Sequence, residues 1–151
     1  MTDLETLREK LGVSEPWTES RGTFWLNPAP LGVRRVAMVM NDVGARFITI
    51  TAYQLPGTEG FRLEYHWDLG GRLLGLMFTI ADNAIDSIFD LSEAADWIER
   101  EIHEEYSLDF AGRELEPLLL RQGDESGVNL REEAKPKPAP AAQAPKQEVA
   151  Q

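Results

Sequence analysis

The run FRLEYHWD, Phe61 to Asp68, alternates apolar and polar side chains without a break, and after Gly70-Gly71 the chain continues as RLLGLMFTI, Arg72 to Ile80. Successive strand residues point to opposite faces, so Phe61, Leu63, Tyr65 and Trp67 share one face and Arg62, Glu64, His66 and Asp68 the other. A Gly-Gly pair supplies the positive φ angles of a tight hairpin turn. The two runs predict an antiparallel hairpin with one core face and one face toward water. A lone hairpin is marginal in water, so the apolar face must be covered by other parts of the chain.

Those parts are legible upstream. RFITITAY, Arg46 to Tyr53, is β-branched and aromatic and predicts a strand joined antiparallel to the hairpin. GTFWLN, Gly22 to Asn27, predicts another. PLGVRRVAMVMNDVG, Pro30 to Gly44, switches to helical spacing through Val33, Val36, Ala37, Met40 and Val43, with Pro30 at the entry and Gly44 at the exit. At the start, Thr2 and Glu5 have capping-box spacing, Leu4, Leu7 and Leu11 make a stripe, and Gly12 can end the helix. The expectation is an α+β fold: a mixed or antiparallel sheet of about four strands with helices packed on it, spanning residues 1–117. An extended arm, 118–133, should follow.

After Glu133 the composition changes abruptly. AKPKPAPAAQAPKQEVAQ, residues 134–151, has four prolines, six alanines and no aromatic side chain, too little apolar surface to offset the entropy of ordering it. A disordered tail is expected. Its net charge is +2, which leaves −13 on residues 1–133 of a chain whose total is −11.

That acidity argues against nucleic acid, whose binding draws on lysine and arginine displacing counterions. The absence of cysteine excludes thiolate-ligated clusters, disulfides and a cysteine nucleophile in this chain. Met1 to Lys10 lacks a signal-peptide apolar core, and no apolar run approaches the roughly 18 residues of a membrane span. A soluble, cytoplasmic chain is expected.

The most heavily charged stretch is ADWIEREIHEEYSLDF, Ala95 to Phe110. Asp90 or Ser92 can cap a helix in which Leu91, Ala94 or Ala95, Ile98, Ile102 and Tyr106 recur at three and four residues. Glu99 and His103, and Arg100 and Glu104, stand four apart on the outside, pairs worth only about 0.2 to 0.5 kcal/mol on a helix surface. A solvated face accounts for most of these charges. It leaves Trp97 unexplained, and an adjoining partner surface would explain it.

The spacing continues beyond the helix. Ser87-Ile88 precede a short loop, Ala95 stands ahead of Trp97, and Glu99-Arg100-Glu101 follow one free position later. Glu104, Tyr106, Leu108, Phe110 and Gly112 come next, then LEPLLL, Leu115 to Leu120. From about Ile85 to Glu133 this resembles the C-terminal signature of the 30-kilodalton subunit family of respiratory complex I, which is shared with membrane-bound energy-converting nickel-iron hydrogenases. Ser107 replaces a family glycine, Arg113-Glu114 replace a histidine-proline pair, and VNLREE keeps Leu130 and Arg131 without the family's second histidine-proline. The brief N-terminal part and LEYHWDLGGRLLGL look more similar to the hydrogenase branch.

The resemblance implies a non-catalytic subunit of the peripheral, cytoplasmic-side arm of such a complex, packed against the large subunit and the iron-sulfur subunits. Clusters, and a nickel-iron site or flavin, would sit in those partners and none in this chain. Trp97, Tyr106 and Phe110 would anchor the interface, Glu99, Arg100 and Glu101 would pair with the partner, and the arm with Leu130 and Arg131 would cross a neighbour. An alternative keeps Glu99 and Arg100 inside the domain, bracing the loop Ser107 to Gly112. Two other classes compete. One is a small acid-base enzyme using His66 with Glu64 and Asp68, or His103 with Glu99; the other is an interaction module acting through its tail.

Overall fold

The computed structural model describes residues 2–57 and 60–131, so the tail expected over 134–151 lies outside the described residues. The hairpin is the centre of the fold. β4 (Phe61–Leu69) and β5 (Arg72–Ile80) pair antiparallel around Gly70 and Gly71, whose φ values of 59° and 86° make the turn. β3 (Arg46–Gln54) adds antiparallel to β4, with a bulge between Phe47 and Thr49.

On the other side β2 (Thr23–Leu26) pairs parallel to β5, and β1 (Thr18–Ser20) pairs antiparallel to β2. The result is a mixed five-stranded sheet in the order β1-β2-β5-β4-β3, one strand more than the sequence predicts. The additional strand, β1, is the tripeptide TES with all side chains exposed, so no hydrophobic alternation marks it. A second, two-stranded ribbon pairs β6 (Ala84–Asp86) parallel to β7 (Asp109–Ala111).

α1 (Leu4–Leu11) is capped by Asp3, whose carboxylate accepts from the Thr6 N–H at 2.7 Å; the expected Thr2 cap sits one residue too early. Gly12 ends it in the left-handed conformation, as expected. α2 (Val33–Asp42) starts after Gly32 rather than at Pro30, and Gly44 follows its last turn. A 3-10 turn (Glu93–Ala95) leads into α3 (Asp96–Tyr106). Asp90 does not cap that helix. It pairs with Arg34 of α2 through two contacts of 2.6 and 2.8 Å, tying the loop before α3 to α2.

One core joins these elements. Leu7 and Leu11 of α1, Val36 and Met40 of α2 and Ile102 of α3 are buried with Leu63, Tyr65, Trp67, Leu74 and Leu76 of the sheet. Each fully buried side chain of this size contributes about 1.5–3 kcal/mol relative to exposure. The opposite sheet face is drier than alternation implies. Glu64 is buried and pairs with Arg62 at 3.0 Å, the Arg62 guanidinium lies 5.1 Å from the Tyr53 ring centre, and the His66 ring meets Trp25 edge-on at 5.4 Å. Trp25 can lie there because its cross-strand partner is Gly75, where a Cβ would come 2.4 Å from the indole.

Candidate functional site

α3 carries the charges that the sequence singles out, and its turns deliver them to different parts of the chain. Glu99 is fully buried. One carboxylate oxygen accepts from the Ser87 hydroxyl at 2.6 Å, the other from the Ile88 N–H at 2.8 Å, and an Arg113 N–H reaches the first at 3.2 Å. Burial pushes the Glu99 carboxyl above the usual range, against the opposing pull of Ser87, Ile88 and Arg113.

Arg113 also binds Asp96, one turn earlier, and its guanidinium stacks 4.3 Å from the Phe89 ring centre. The Arg113 contact first, and then Arg100, holds Asp96 below the usual carboxylate range although partial burial opposes it. Arg100 meets the second Asp96 oxygen at 3.2 Å and donates to the carbonyls of Glu116 and Pro117 at 2.9 and 2.8 Å.

Glu104, the next buried carboxylate, faces the backbone of the leucine-rich run: N–H groups of Leu118, Leu119 and Leu120 donate to it, the shortest contact being 2.5 Å from Leu118. Burial alone would raise its pKa; the three N–H groups and the charge of Arg100 outweigh it, so the carboxyl is lowered. At the end of α3 the Glu104 carbonyl accepts from Gly127 at 2.7 Å and the Glu105 carbonyl from Asn129 at 2.9 Å. The described part of the arm, 118–131, thus contains no helix or strand and is drawn back onto α3.

Several expected contact residues are therefore committed within the chain. Glu99 and Phe110, which were to face a partner, are 0% and 1% exposed, the first in the brace just described and the second in the core. Arg100 spends its donors on Asp96, Glu116 and Pro117, so its partner is this chain. The expected surface pairs Glu99 with His103 and Arg100 with Glu104 do not form, because each carboxylate turns toward buried N–H groups instead.

The remaining expected residues keep access to solvent. Trp97 is 69% exposed, and Glu101 and Tyr106 are half-buried. Tyr106 packs edge-on to Phe61 at 5.6 Å. Leu130 lies partly buried against the core, and the exposed Arg131 donates its backbone N–H to the Gln54 side chain at 2.9 Å. Leu119 and Val128 join Trp97 as exposed apolar side chains, 76% and 55% accessible.

The histidines are far less organised. His103 Nδ1 lies 3.0 Å from the Leu108 carbonyl and 3.5 Å from an Asp109 carboxylate oxygen, with Glu99 turned away into the brace. His66 sits against Trp25 in the sheet. Among the described residues, no three His, Asp or Glu side chains converge in a group that could hold a metal ion.

Fold and site together define a small α+β domain whose charged helix is an internal brace with one exposed aromatic flank. The chain belongs to the family of the 30-kDa subunit of respiratory-chain NADH dehydrogenase, whose family model matches residues 29–139. It is a family of electron-transport oxidoreductase complexes. No curated protein sequence matches it.

Among solved structures, a trypsin-resistant fragment of Nqo5 superposes with a TM-score of 0.54 at 20% identity, over 72% of this chain and 92% of that one. A chain of the membrane-bound sulfane sulfur reductase, an archaeal respiratory membrane complex, superposes with a TM-score of 0.68 at 18% identity, over 83% of this chain and 78% of that one. At these identities the likeness is one of fold. No helix among the described residues is long and apolar enough to cross a membrane.

Proposed function

We propose that this chain is a non-catalytic subunit of the peripheral arm of a membrane-bound oxidoreductase complex, of the energy-converting nickel-iron hydrogenase or NADH:quinone oxidoreductase type. It scaffolds the large subunit and the iron-sulfur subunits, which hold the clusters and the nickel-iron site or flavin. It reaches the cytoplasmic side of the membrane through those partners. The hairpin sequence LEYHWDLGGRLLGL supports the hydrogenase branch.

The observation that carries this reading is Trp97. A tryptophan exposed to 69% buries little of its surface in the isolated fold, and tryptophan is enriched among the residues that anchor protein interfaces. The brace gives the anchor a fixed direction, which lowers the entropy cost of docking.

The test is Trp97→Ala in the full chain, tagged and expressed in its own cells. Partner recovery should fall about 30-fold or more, the equivalent of a hot spot of at least about 2 kcal/mol. The thermal midpoint of the purified chain should stay within a degree or two. Partner recovery equal to wild type would remove Trp97 from the interface.

A further inference from the structure

β5 outlasts one of its neighbours. Its pairing with β2 ends at Leu26 opposite Leu76, while its pairing with β4 continues to Ile80. A two-residue turn bonds its closing pair, here Leu69–Arg72, and bonded pairs then recur at alternate positions, through Leu63–Phe78 to Phe61–Ile80. Thr79 is turned the other way, so its N–H and C=O point from β4 toward the side that β2 has left. β6 is likewise paired on one side only. The Asn83 carbonyl accepts from Asp109 and the Ser87 N–H donates to Ala111, so the backbone groups of Ala84 and Asp86 point away from β7.

Thr79, Ala84 and Asp86 all line one groove of about 420 Å³, whose apolar wall includes Pro30, Leu31 and Ile85. On that side their backbone groups have no hydrogen-bond partner among the described residues. Donors and acceptors at strand spacing beside an apolar wall form a site for one more extended polypeptide.

We propose that the groove takes an extended, proline-free segment of a partner subunit as an added strand against Thr79. A small apolar side chain of that segment lies on Pro30 and Leu31, and a lysine or arginine lies beside Asp82 and Asp86. The inference rests on the subunit reading above. Charge selects the occupant. Asp86 lines the groove and Asp82 stands in the turn between β5 and β6; both are exposed, and neither has an ion-pair partner among the described residues. Arg34 spends its guanidinium on Asp90 and the Ser87 carbonyl. Two unpaired carboxylates repel phosphates and other anions, and a second copy of this chain would bring more acid, at −13 over residues 1–133. A basic strand from another subunit satisfies the carboxylates and the open backbone together.

Amide hydrogen exchange resolved to single residues, compared between the purified complex and the isolated full chain, tests this. A segment bound about nine-tenths of the time slows exchange about tenfold, so the Thr79, Ala84 and Asp86 amides should slow by that factor in the complex. The Phe78 and Ile80 amides, already bonded to β4, should not change. In a complex carrying Asp82→Lys/Asp86→Lys the slowing should be lost, with the thermal midpoint of the isolated variant unchanged. Equal exchange in complex and isolated chain would overturn the proposal and leave the subunit reading standing, whereas a chain that purifies with no partner would overturn both. Slowing that survives the two lysines would overturn the basic segment. Slow exchange already present in the isolated chain would overturn the partner, in favour of a second copy if it rises with protein concentration and of this chain's own residues if it does not.

Discussion

Truncating Glu99 to alanine tests the brace at its centre. The substitution removes a fully buried carboxylate that satisfies the Ser87 hydroxyl and the Ile88 N–H and faces Arg113. Breaking a buried pair by removing one partner costs about 3–5 kcal/mol, and the orphaned Ile88 N–H belongs to that penalty. Asp96 still holds Arg113, which places the expected loss at the lower end, about 3 kcal/mol. For a domain of this size that is a fall in Tm of roughly 10 °C.

Glu99→Gln keeps the volume and one acceptor for Ile88, so it should cost only about 1–2 kcal/mol. The two variants also separate in pH. Burial raises the Glu99 pKa in the folded chain, so the folded state takes up this proton at a higher pH than the unfolded state. Wild type therefore gains stability from this group as pH falls through the raised folded value toward the ordinary glutamate value, and loses it as pH rises again. Glutamine cannot, so the deficit of Glu99→Gln against wild type should widen from neutral pH to mildly acid pH. Urea denaturation at several pH values, with unchanged m-values, reads both effects. A loss below about 1 kcal/mol for Glu99→Ala would refute the brace.

Glu104→Ala should free the backbone of Leu118–Leu120, costing about 2 kcal/mol for the charge-assisted hydrogen bonds it removes and speeding tryptic cleavage at the exposed Arg121; unchanged cleavage contradicts this. Because Asp96 and Glu104 are both lowered on folding, their contribution is present above the ordinary carboxylate range and lost as pH falls through their folded values. Acid unfolding should accordingly begin in residues 113–131, seen as early loss of amide protection there rather than in the sheet. Gly75→Ala should destabilise by about 1–3 kcal/mol, since the new Cβ meets the Trp25 ring; a neutral result in thermal unfolding would show that the indole moves freely.

The sheet was readable because its strands obey a simple rule. Phe61 to Asp68 alternates, Gly70-Gly71 turns, and Arg46 to Tyr53 is β-branched, so pairing and core face follow. β1, β6 and β7 are three residues each, too short for any period to show, and their pairing depends on where the rest of the fold leaves them. The opposite sheet face illustrates a different limit. Arg62, Glu64 and His66 occupy positions that alternation sends to water, yet Trp25 and Tyr53 cover them from neighbouring strands.

The site was legible as a pattern and misread in its geometry. A helix-surface rule sends Glu99 and Glu104 outward, and only partners distant in sequence, Ser87, Ile88 and Arg113 for one and Leu118–Leu120 for the other, make their burial affordable. The signal was present: Ser87-Ile88 and the leucine-rich run stood in the same spaced pattern as Glu99. Arg113 is instructive because it occupies a position where the family pattern has histidine, and it links Asp96 to Glu99. The alternative reading, in which Glu99 and Arg100 stay inside the domain, is the one the structure supports, with the braced segments being Ser87–Phe89 and 113–120.

Membership of a larger redox assembly is tested by tagging the full chain, purifying it gently from solubilised membranes of its own cells, and assaying the eluate for nickel, iron and flavin. Iron should be present in stoichiometric excess over this chain, with nickel for a hydrogenase-type assembly or with flavin for an NADH-oxidising one. A lone, metal-free chain of 17.0 kDa would contradict it.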